Sequence, residues 1–424
     1  MDKSGIINLK GELRDYTKFY LVRNPFPSLT IPDETPSITA DREEPIRRFK
    51  DAIIELTKNN VTSVAVTVGE YGSGKSHLFR IFKQAVNTQL LSTKDGTLAV
   101  FVRSPGNDFS DLLFAFVDDI GRSLFTQYAT VILNDFINKN KENVKHYISK
   151  HDVRKEFENG NISLETFMIE SEYINLNKEI RNTKFAEIKD DDLVFAFLSL
   201  AHPEFGAKAW KWLLGGSLDK SESNSINVSK AIKEPAHTFS IFEDLVKILH
   251  IVGIKSLVIL VDELEKITFL GKTPREDYQD TLRHWIDSYP KNVCFYFAIA
   301  PHQWDNLVKE PTALIRRLSG SWYVLKPFEE ENTSELIERY LDSTRTDEYP
   351  SKDIKKKFPK CEPDLFPFTN ESITTIQQES KGIVSNILLL CRRCLEYLYD
   401  EVEKYKVVTP ELVSYVSQKE GFDK

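Results

Sequence analysis

The sequence predicts an α/β fold with a five-stranded, mostly parallel sheet, a long helical insertion and an all-helical C-terminal region. Three observations lead to this prediction. Short apolar, β-branched runs alternate with segments whose apolar residues recur at helical spacing, the pattern of a parallel sheet covered by helices. About 150 residues separate the second run from the third, many more than a crossover connection requires. Strand patterns stop after residue 326, whereas helical patterns continue.

The composition limits the class of protein. A chain of 424 residues is long enough for two domains. Hydrophobic residues make up 41% and charged residues 28%, which excludes collagen-like and wholly disordered chains. The net charge of -8 excludes a polycation that coats nucleic acid, so any DNA contact would be local. Four cysteines cannot form a disulfide scaffold, the N-terminal residues lack the apolar core of a signal peptide, and no apolar stretch is long enough for a membrane span. We therefore expect a cytoplasmic protein without membrane contact.

The first elements follow one another along the chain. Residues 1–40 contain several prolines and turn formers, which predict an extended segment. Residues Glu43 to Lys58 show helical spacing, Val61 to Val68 give the first strand pattern, and a helix is predicted over Ser76 to Leu91. The other predicted strands are Thr97 to Arg103, Ser256 to Asp262, Val293 to Ala300 and Trp322 to Leu325.

The insertion is expected at about residues 109–245. Phe109 to Asn138 predicts a long amphipathic helix or a pair of helices, and residues 139–195 are charged and helical in pattern. Lys220 to Ser229, which is polar and rich in serine, predicts a flexible loop.

Helix signals continue in the C-terminal region. Asn332 with Glu335 predicts a capping box, and Thr409 with Pro410 predicts a cap followed by a first-turn proline. Cys391 and Cys394 are expected to be buried apolar residues, since four zinc ligands are not evident nearby.

A complete phosphate-binding motif lies between the first predicted strand and the following helix. Residues 69–76 match G-x-x-x-x-G-K-[ST]. Its glycines let backbone N–H groups turn toward an anion, and Lys75 would reach the β- and γ-phosphates while Ser76 ligates Mg²⁺. A glycine-rich turn without a ligand is the alternative. The residues expected to contact nucleotide are Gly69, Glu70, Tyr71, Gly72, Ser73, Gly74, Lys75, Ser76 and His77.

Two adjacent carboxylates end the third predicted strand. Asp262 and Glu263 close an apolar run that begins at Leu257. We expect Asp262 to hold the hydration shell of Mg²⁺, and Glu263 to polarise the attacking water as a general base. A strand that ends in solvated acids is the alternative, and it is disfavoured by the complete phosphate motif. Glu265 is expected to be solvated and without a role.

Together, the two motifs, the five strands and the helical C-terminal region resemble the AAA+ ATPases, and within them the origin-recognition initiator branch. Residues 24–27 (NPFP) and 41–49 (DREEPIRRF) resemble that branch's adenine-contacting segment. This resemblance implies that Asn24, Pro25 and Phe26 pack around the base.

A further resemblance is to the ATP-binding proteins of BREX phage-defence systems. It rests on AWKWLLGG at residues 209–216, followed by GIKSLVILVDELEKI. The resemblances imply an extended segment over 1–40, an AAA+ nucleotide-binding core over 41–326 and a helical lid domain over 327–424.

The sequence departs from the resembled family at both sensor positions. The fourth strand reaches Ala300 where a polar sensor is usual, and the lid has Gly382-Ile-Val-Ser385 where Gly-x-x-Arg is usual. These departures are compatible with nucleotide binding but argue against fast, tightly coupled hydrolysis. Substitutes that lie nearby in sequence are His302, Gln303, Arg392 and Arg393.

Two arginines occupy the family's finger position. Arg316 and Arg317 lie between the fourth and fifth predicted strands, where this superfamily carries an arginine that completes a neighbouring subunit's site. A finger here would imply an active homo-oligomer. The alternative is an ordinary basic helix end.

Two functions from different classes remain open. One is a Mg²⁺-dependent ATPase that acts as a molecular switch in a DNA-related or phage-defence assembly, with ATP bound between core and lid. The other is a nucleotide-binding scaffold with negligible turnover that recruits a protein partner through its insertion. A DNA contact at the basic run Ser351 to Lys360 is a weaker expectation. A small-molecule kinase is a third interpretation, which the Asp-Glu strand end disfavours.

Overall fold

A five-stranded sheet organises the fold. The computed structural model describes residues 14–28, 38–40, 42–92, 96–232, 235–309 and 312–421. The strands are β1 (Ser63–Gly69), β2 (Thr97–Val102), β3 (Ser256–Val261), β4 (Val293–Ile299) and β5 (Trp322–Leu325). Their order in the sheet is β2-β3-β4-β1-β5, and the pairs β2–β3, β3–β4 and β4–β1 are parallel. The prediction of a five-stranded, mostly parallel sheet is confirmed.

Strands β2, β3 and β4 are apolar because both of their faces are covered. Every residue of β2, β3 and β4 is buried, as expected for strands of a parallel sheet. Phe297 of β4 is aligned with Val261 on one side and with Val66 on the other. In the chain, β1 is followed by the glycine-rich loop, and β3 is followed by Asp262.

The chain divides into two units. The sheet unit comprises residues Arg48–Val68 and Phe82–Tyr323. The loop–lid unit comprises the described residues before Arg48, the segment Gly69–Ile81 and the described residues after Tyr323. Each unit has its own hydrophobic core, the first built around the sheet strands and the second around the C-terminal helices.

The insertion between β2 and β3 is helical, as predicted. Helices α1 (Glu43–Asn59) and α2 (Lys75–Gln89) precede it in the chain. Gly121, with a φ of 86°, separates the first two insertion helices, so the predicted amphipathic stretch is a helix pair. The insertion helices are α3 (Phe109–Ile120), α4 (Arg122–Lys139), α5 (Lys141–Val144), α6 (His151–Glu158), α7 (Leu164–Glu170), α8 (Tyr173–Lys184), α9 (Asp191–Ser199), α10 (Gly206–Leu213), α11 (Lys220–Ser225) and α12 (Pro235–Ile251).

The prediction of a flexible loop over Lys220 to Ser229 is wrong in its first half. Residues Lys220–Ser225 form α11, because Asp219 Oδ1 accepts from Glu222 N at 2.8 Å and Glu222 Oε2 accepts from Asp219 N at 3.0 Å. This capping box satisfies two N–H groups at the helix start. The capping residue, Asp219, lies just before the polar stretch. The composition of Lys220 to Ser229 by itself therefore did not reveal the helix.

The remaining helices complete both units. Short 3-10 turns occur at Thr17–Phe19, Lys145–Tyr147, Leu264–Phe269 and Pro363–Leu365. The sheet unit continues with α13 (Lys272–Asp287), α14 (Pro301–Lys309) and α15 (Ala313–Leu318). The C-terminal region is helical, as predicted, with α16 (Glu330–Asp342), α17 (Ser351–Lys357), α18 (Asn370–Glu379), α19 (Val384–Asp400) and α20 (Pro410–Glu420).

Of the two capping signals predicted in the C-terminal region, one is confirmed and the other is displaced. Thr409 Oγ1 accepts from Leu412 N at 3.4 Å, so the predicted cap of α20 is confirmed. The box predicted at Asn332 and Glu335 is displaced, because α16 begins at Glu330. There Asn332 Oδ1 accepts from Glu329 N at 3.3 Å, so Asn332 is the third helical residue rather than the cap.

The prediction that Cys391 and Cys394 are buried is confirmed. The four cysteines are free and buried. No helix in the described ranges is both long and apolar enough to cross a lipid bilayer. Within those same ranges, no group of three or more His, Cys, Asp or Glu side chains is arranged to hold a metal ion.

Candidate phosphate site

Residues 69–76 form a tight loop between β1 and α2. Gly72 and Gly74 have φ values of 79° and 98°, a backbone region that costs residues with a side chain about 1–2 kcal/mol. Ser73 N donates to Glu70 O at 3.1 Å and closes a turn, and Leu78 N donates to Gly74 O at 2.9 Å as the helix begins. The backbone path of the loop therefore requires glycine at these two positions.

The ammonium group of Lys75 is held by the loop itself. Its Nζ donates to Gly69 O at 2.6 Å and to Glu70 O at 3.1 Å. Lys75 is only 7% exposed, and Nζ lies 5.4 Å from the ring centroid of Tyr71, an exposed side chain. A buried positive charge is thus fixed at the start of α2, whose N-terminal end also favours anions.

Two further donors, both within the loop–lid unit, bind carbonyl groups of the same loop. Ser385 N donates to Gly72 O at 3.1 Å, and Arg42 Nη2 donates to Ser73 O at 2.7 Å. Because Gly72 O and Ser73 O both accept hydrogen bonds, the partial negative charges of these two carbonyl oxygen atoms are compensated by the donors.

The Ser73 hydroxyl provides a test of whether a phosphate fits the loop. Its Oγ is buried and has no hydrogen-bond partner among the residues that the structure describes. A Cβ atom placed on Gly69 would lie 2.6 Å from this Oγ, so the loop closes tightly around it. Buried polar groups are rarely left unpaired, and a phosphate oxygen would supply an acceptor. The residues present therefore fit the phosphates of a nucleotide.

His77 follows the loop in the first turn of α2. Burial lowers the pKa of its imidazole to about 4, and the nearby positive charges of Arg42 and Arg80 act in the same direction. A hydrogen bond with the backbone of Ile38 opposes this shift without cancelling it. At neutral pH the ring is uncharged, so His77 adds no positive charge to the loop.

Acid is expected to destabilise the nucleotide-free, magnesium-free protein partly through His77. The folded pKa of about 4 lies below the unfolded value of 6.5. The neutral ring's contribution to stability is therefore complete above pH 6.5 and is lost as the pH falls toward 4. Between pH 7 and pH 5 this loss should be about 2 kcal/mol. Urea unfolding of the wild type and His77→Asn at both pH values measures it, and equal losses in the two proteins would contradict the prediction.

The N-terminal end of α19, where the resemblance predicts the second sensor, contacts the loop through Ser385. Besides the bond from its N–H to Gly72 O, Ser385 presents its Oγ 2.0 Å from where a Cβ on Gly72 would lie. The serine therefore lies directly against the loop. Arg392 and Arg393, the nearby substitutes, are both paired with Glu396, at 3.0 and 2.9 Å.

Replacing Gly72 by alanine should destabilise the loop–lid contact. Gly160→Ala is the matched control, since Gly160 has a φ of 76° and nothing lies within 4 Å of its Cβ position. We expect Gly72→Ala to lower the free energy of unfolding by about 1–3 kcal/mol more than the control, because the new methyl group collides with Ser385. Thermal unfolding measures both effects. Adding Ser385→Gly should recover the difference, and equal effects of the two single variants would contradict the contact.

Asn24, Pro25 and Phe26 lie against the C-terminal helices. Phe26 is 1% exposed, and its ring packs against Tyr340 and Phe368, with centroids 5.7 and 6.0 Å away. Asn24 Nδ2 donates to the backbone O of Arg392 at 3.2 Å, and Pro25 is partly buried. The Phe26 ring is thus part of the loop–lid core, and a contact of this segment with a base stays a prediction.

Asp262 and Glu263 follow β3 in the sheet unit. Asp262 is 3% exposed, and its Oδ1 accepts from Glu263 N at 2.9 Å. Glu263 has a φ of 52°, which is uncommon for a residue with a side chain and is enriched at functional positions. Its carboxylate is partly exposed and pairs with Lys266 at 2.6 Å. The turn directs the two acids to different surroundings, one buried and one accessible to solvent.

The prediction of a solvated Glu265 is wrong. Glu265 is 2% exposed, and its Oε2 accepts from the backbone N of Ala300 at 3.3 Å. The acid thereby ties the turn after β3 to the end of β4. Gln303 contributes to the same link, because its Oε1 accepts from Thr268 Oγ1 at 3.0 Å, whereas His302 lies near the surface beside Asn306.

Arg316 and Arg317, the two arginines predicted as candidates for a finger, differ in their surroundings. Arg317 donates to Asp287 at 2.7 Å and is engaged within the sheet unit. Arg316 is exposed at the end of α15, and in the described part of the chain its side chain has no ion pair. Of the two, Arg316 is the one available to an external partner.

Sequence reasoning missed three residues around these turns. Arg42 and Ser385 bond the phosphate loop from distant parts of the chain, and Glu265 is a buried acid. Neither Arg42 nor Ser385 lies within the motif that identified the loop. A signal for Glu265 did exist, since it sits among apolar residues that are themselves buried, Leu264 and Ile267.

Comparison with known proteins gives a family. A model of the BREX system ATP-binding proteins BrxC/D matches residues 36–324. Among proteins of curated function, none matches this chain. Similar solved structures include the Aeropyrum pernix ORC1 protein in complex with DNA (13% identity, TM-score 0.43, covering 92% of this chain and 68% of that one). Others are the Aeropyrum pernix ORC2 protein in ADPNP and ADP complexes (9%, 0.49, covering 96% and 72%) and a Walker-type ATPase of Pyrococcus abyssi (13%, 0.40, covering 92% and 75%).

The family match covers more than half of the 424 residues and includes both the phosphate loop and the Asp262-Glu263 turn. This chain therefore belongs to the BREX system ATP-binding protein family BrxC/D.

Proposed function

We propose that this protein is a Mg²⁺-dependent ATPase that acts as a molecular switch in a BREX phage-defence assembly. The observation that carries the proposal is the phosphate loop, a tight, glycine-dependent turn. It is lined by a buried lysine and by the Ser73 hydroxyl, for which the described residues provide no hydrogen-bond partner. Membership in a family of ATP-binding proteins supports ATP as the ligand. Glu263, an accessible carboxylate beside a buried one, supports hydrolysis.

In the proposed reaction, each residue has a separate task. Lys75 would hold the β- and γ-phosphate oxygens, and Ser76 and Asp262 would hold Mg²⁺, which would supply positive charge to the polyphosphate. Glu263 accepts a proton from the attacking water as that water's oxygen bonds to the γ-phosphorus. The bond from the γ-phosphorus to the bridging oxygen breaks, and the products are ADP and inorganic phosphate.

The lid contact supports the switch part of the proposal. Ser385 N bonds directly to the phosphate loop at Gly72 O. A change in the loop between ATP-bound and ADP-bound states would therefore reach α19 without an intermediary. The helical C-terminal region is the part of the chain we propose to respond to nucleotide.

A nucleotide-binding scaffold with negligible turnover is the second candidate. It is favoured by Ser385 and Ala300, which stand at the two positions where the resembled family has sensor side chains. In this version, nucleotide orders the loop–lid unit, and the helical insertion recruits a protein partner.

Two partners other than nucleotide are also proposed, a second copy of this chain and DNA. Arg316 is the proposed finger, and a rise in mass with a non-hydrolysable ATP analogue would support a homo-oligomer. A DNA contact at the Ser351 to Lys360 run has less support, because Lys355 and Lys356 pair with Glu362 and Asp353 at 2.6 and 3.6 Å.

A phosphate-release assay separates the two candidates. Purified protein is incubated with ATP, with and without Mg²⁺ and with and without DNA. The ATPase proposal expects Mg²⁺-dependent release of phosphate above a protein-free control. Nucleotide binding with no release under any of these conditions would favour the scaffold instead.

A further inference from the structure

Arg42 is a buried cation that contacts the phosphate loop from outside its motif. The side chain is 7% exposed, and Nη2 donates to Ser73 O at 2.7 Å. Its guanidinium carbon lies 4.7 Å from the centroid of the Phe328 ring, a cation–π contact that holds the planar group in one orientation. Arginine is almost never buried without specific partners, so this placement calls for an explanation.

The contact acts on one particular peptide group. The carbonyl of Ser73 and the N–H of Gly74 belong to the same peptide unit, so a cation bonded to the oxygen polarises the N–H as a stronger donor. Gly74 has a φ of 98°, and a Cβ atom there would lie 3.6 Å from Arg42 Nη2. The guanidinium therefore lies against this peptide and limits how it can turn.

Phe328 connects Arg42 to the lid. Phe328 N donates to Gly382 O at 2.8 Å, and Gln377 Nε2 donates to Phe328 O at 3.1 Å. Gly382 lies three residues before Ser385, whose N–H bonds to the preceding loop carbonyl, Gly72 O. Two successive carbonyls of the loop, those of Gly72 and Ser73, thus accept hydrogen bonds from Ser385 and Arg42, and Phe328 contacts both Arg42 and the segment that leads to Ser385.

We propose that Arg42 is a positioning residue of the nucleotide site. It orients and polarises the Gly74 N–H toward the β- or γ-phosphate of a nucleotide. It also couples the Ser73–Gly74 peptide to the lid through Phe328. This inference rests on the proposed function, because it takes nucleotide phosphates to be the ligand of the loop. If so, the protein prefers nucleoside diphosphates and triphosphates to the monophosphate, and this preference depends on Arg42.

The test measures dissociation constants of ADP and AMP for the wild type, Arg42→Gln and Arg42→Lys. Arg339→Gln is the matched control, since Arg339 belongs to the same unit but its side chain is 51% exposed and paired with Glu335. We expect Arg42→Gln to reduce the AMP-to-ADP ratio of dissociation constants about tenfold, and Arg42→Lys to restore part of it. Arg339→Gln should leave the ratio unchanged.

The ratio distinguishes positioning from a structural role. If Arg42 only stabilised the fold, its loss would lower the melting temperature and weaken the binding of ADP and AMP equally. The ratio would then stay within twofold of wild type, and the inference would be overturned.

If Arg42→Gln does not fold, Phe328→Leu provides the test, since it keeps the charge of Arg42 and removes the ring that orients it. A threefold or larger fall in the ratio for Phe328→Leu is expected, and an unchanged ratio would refute the inference. Wild-type protein that binds neither ligand would refute the proposed function and this inference with it, whereas wild-type binding with unchanged variants refutes the inference alone.

Discussion

Lys75→Ala is expected to weaken ATP binding by at least about 100-fold. The ammonium group is buried and bonded to Gly69 O and Glu70 O at 2.6 and 3.1 Å, so it is fixed at the loop before any ligand arrives. A charge-assisted hydrogen bond contributes about 1.5–3 kcal/mol, so the one bond that the third N–H of the ammonium group can donate to a phosphate oxygen accounts for about this factor. The alanine variant also leaves two carbonyl oxygens without their donor. Calorimetric titration with ATP measures the loss.

Lys58→Ala is the control for Lys75→Ala. Lys58 lies exposed in the last turn of α1, so the same change in residue type and charge is made away from the loop. The control should bind ATP like the wild type. Thermal unfolding of both variants shows whether the fold survives. Lys75→Ala that remains folded and binds ATP within about threefold of wild type would remove the lysine from the proposed site.

Glu263→Gln is expected to reduce phosphate release by about 100-fold or more while ATP affinity changes less than about threefold. The amide keeps the size of the side chain and removes its ability to accept a proton. Glu263 is partly exposed, so the substitution does not leave a buried charge unpaired, and its loss of the Lys266 pair is a small surface effect. Single-turnover phosphate release and equilibrium binding separate the two quantities.

Glu276→Gln provides the comparison, because Glu276 is an exposed acid on α13 in the same unit. Turnover by this variant should match the wild type. If Glu263→Gln turned over as fast as Glu276→Gln, the general base would have to be another group. If neither the variants nor the wild type released phosphate but all bound ATP, the scaffold candidate would replace the ATPase.

Features encoded in short stretches of sequence were predicted well. Strands β2, β3 and β4 are continuous apolar runs because they are buried on both faces. The phosphate loop is a local motif that fixes its own geometry through Gly72 and Gly74. The resemblance to BREX ATP-binding proteins is confirmed by the family match over residues 36–324. Each of these signals lies within a few residues of the structure that it specifies.

Features that depend on distant contacts could not be predicted in this way. Arg42 and Ser385 reach the loop only because the chain brings remote segments together. Glu265 looked solvated because an acid after a strand usually is, yet the backbone N–H of Ala300 provides a buried partner. The Phe26 ring likewise packs into the core of the C-terminal helices. Residue type alone does not reveal such partners.

Calorimetric titration of wild-type protein with ATP in the presence of Mg²⁺ tests the central claim most directly. The account predicts saturable, one-to-one binding with a dissociation constant in the micromolar range or tighter, that is, a binding free energy of about -8 kcal/mol or stronger. Folded protein that shows no affinity for ATP, ADP or any other purine nucleotide would contradict it.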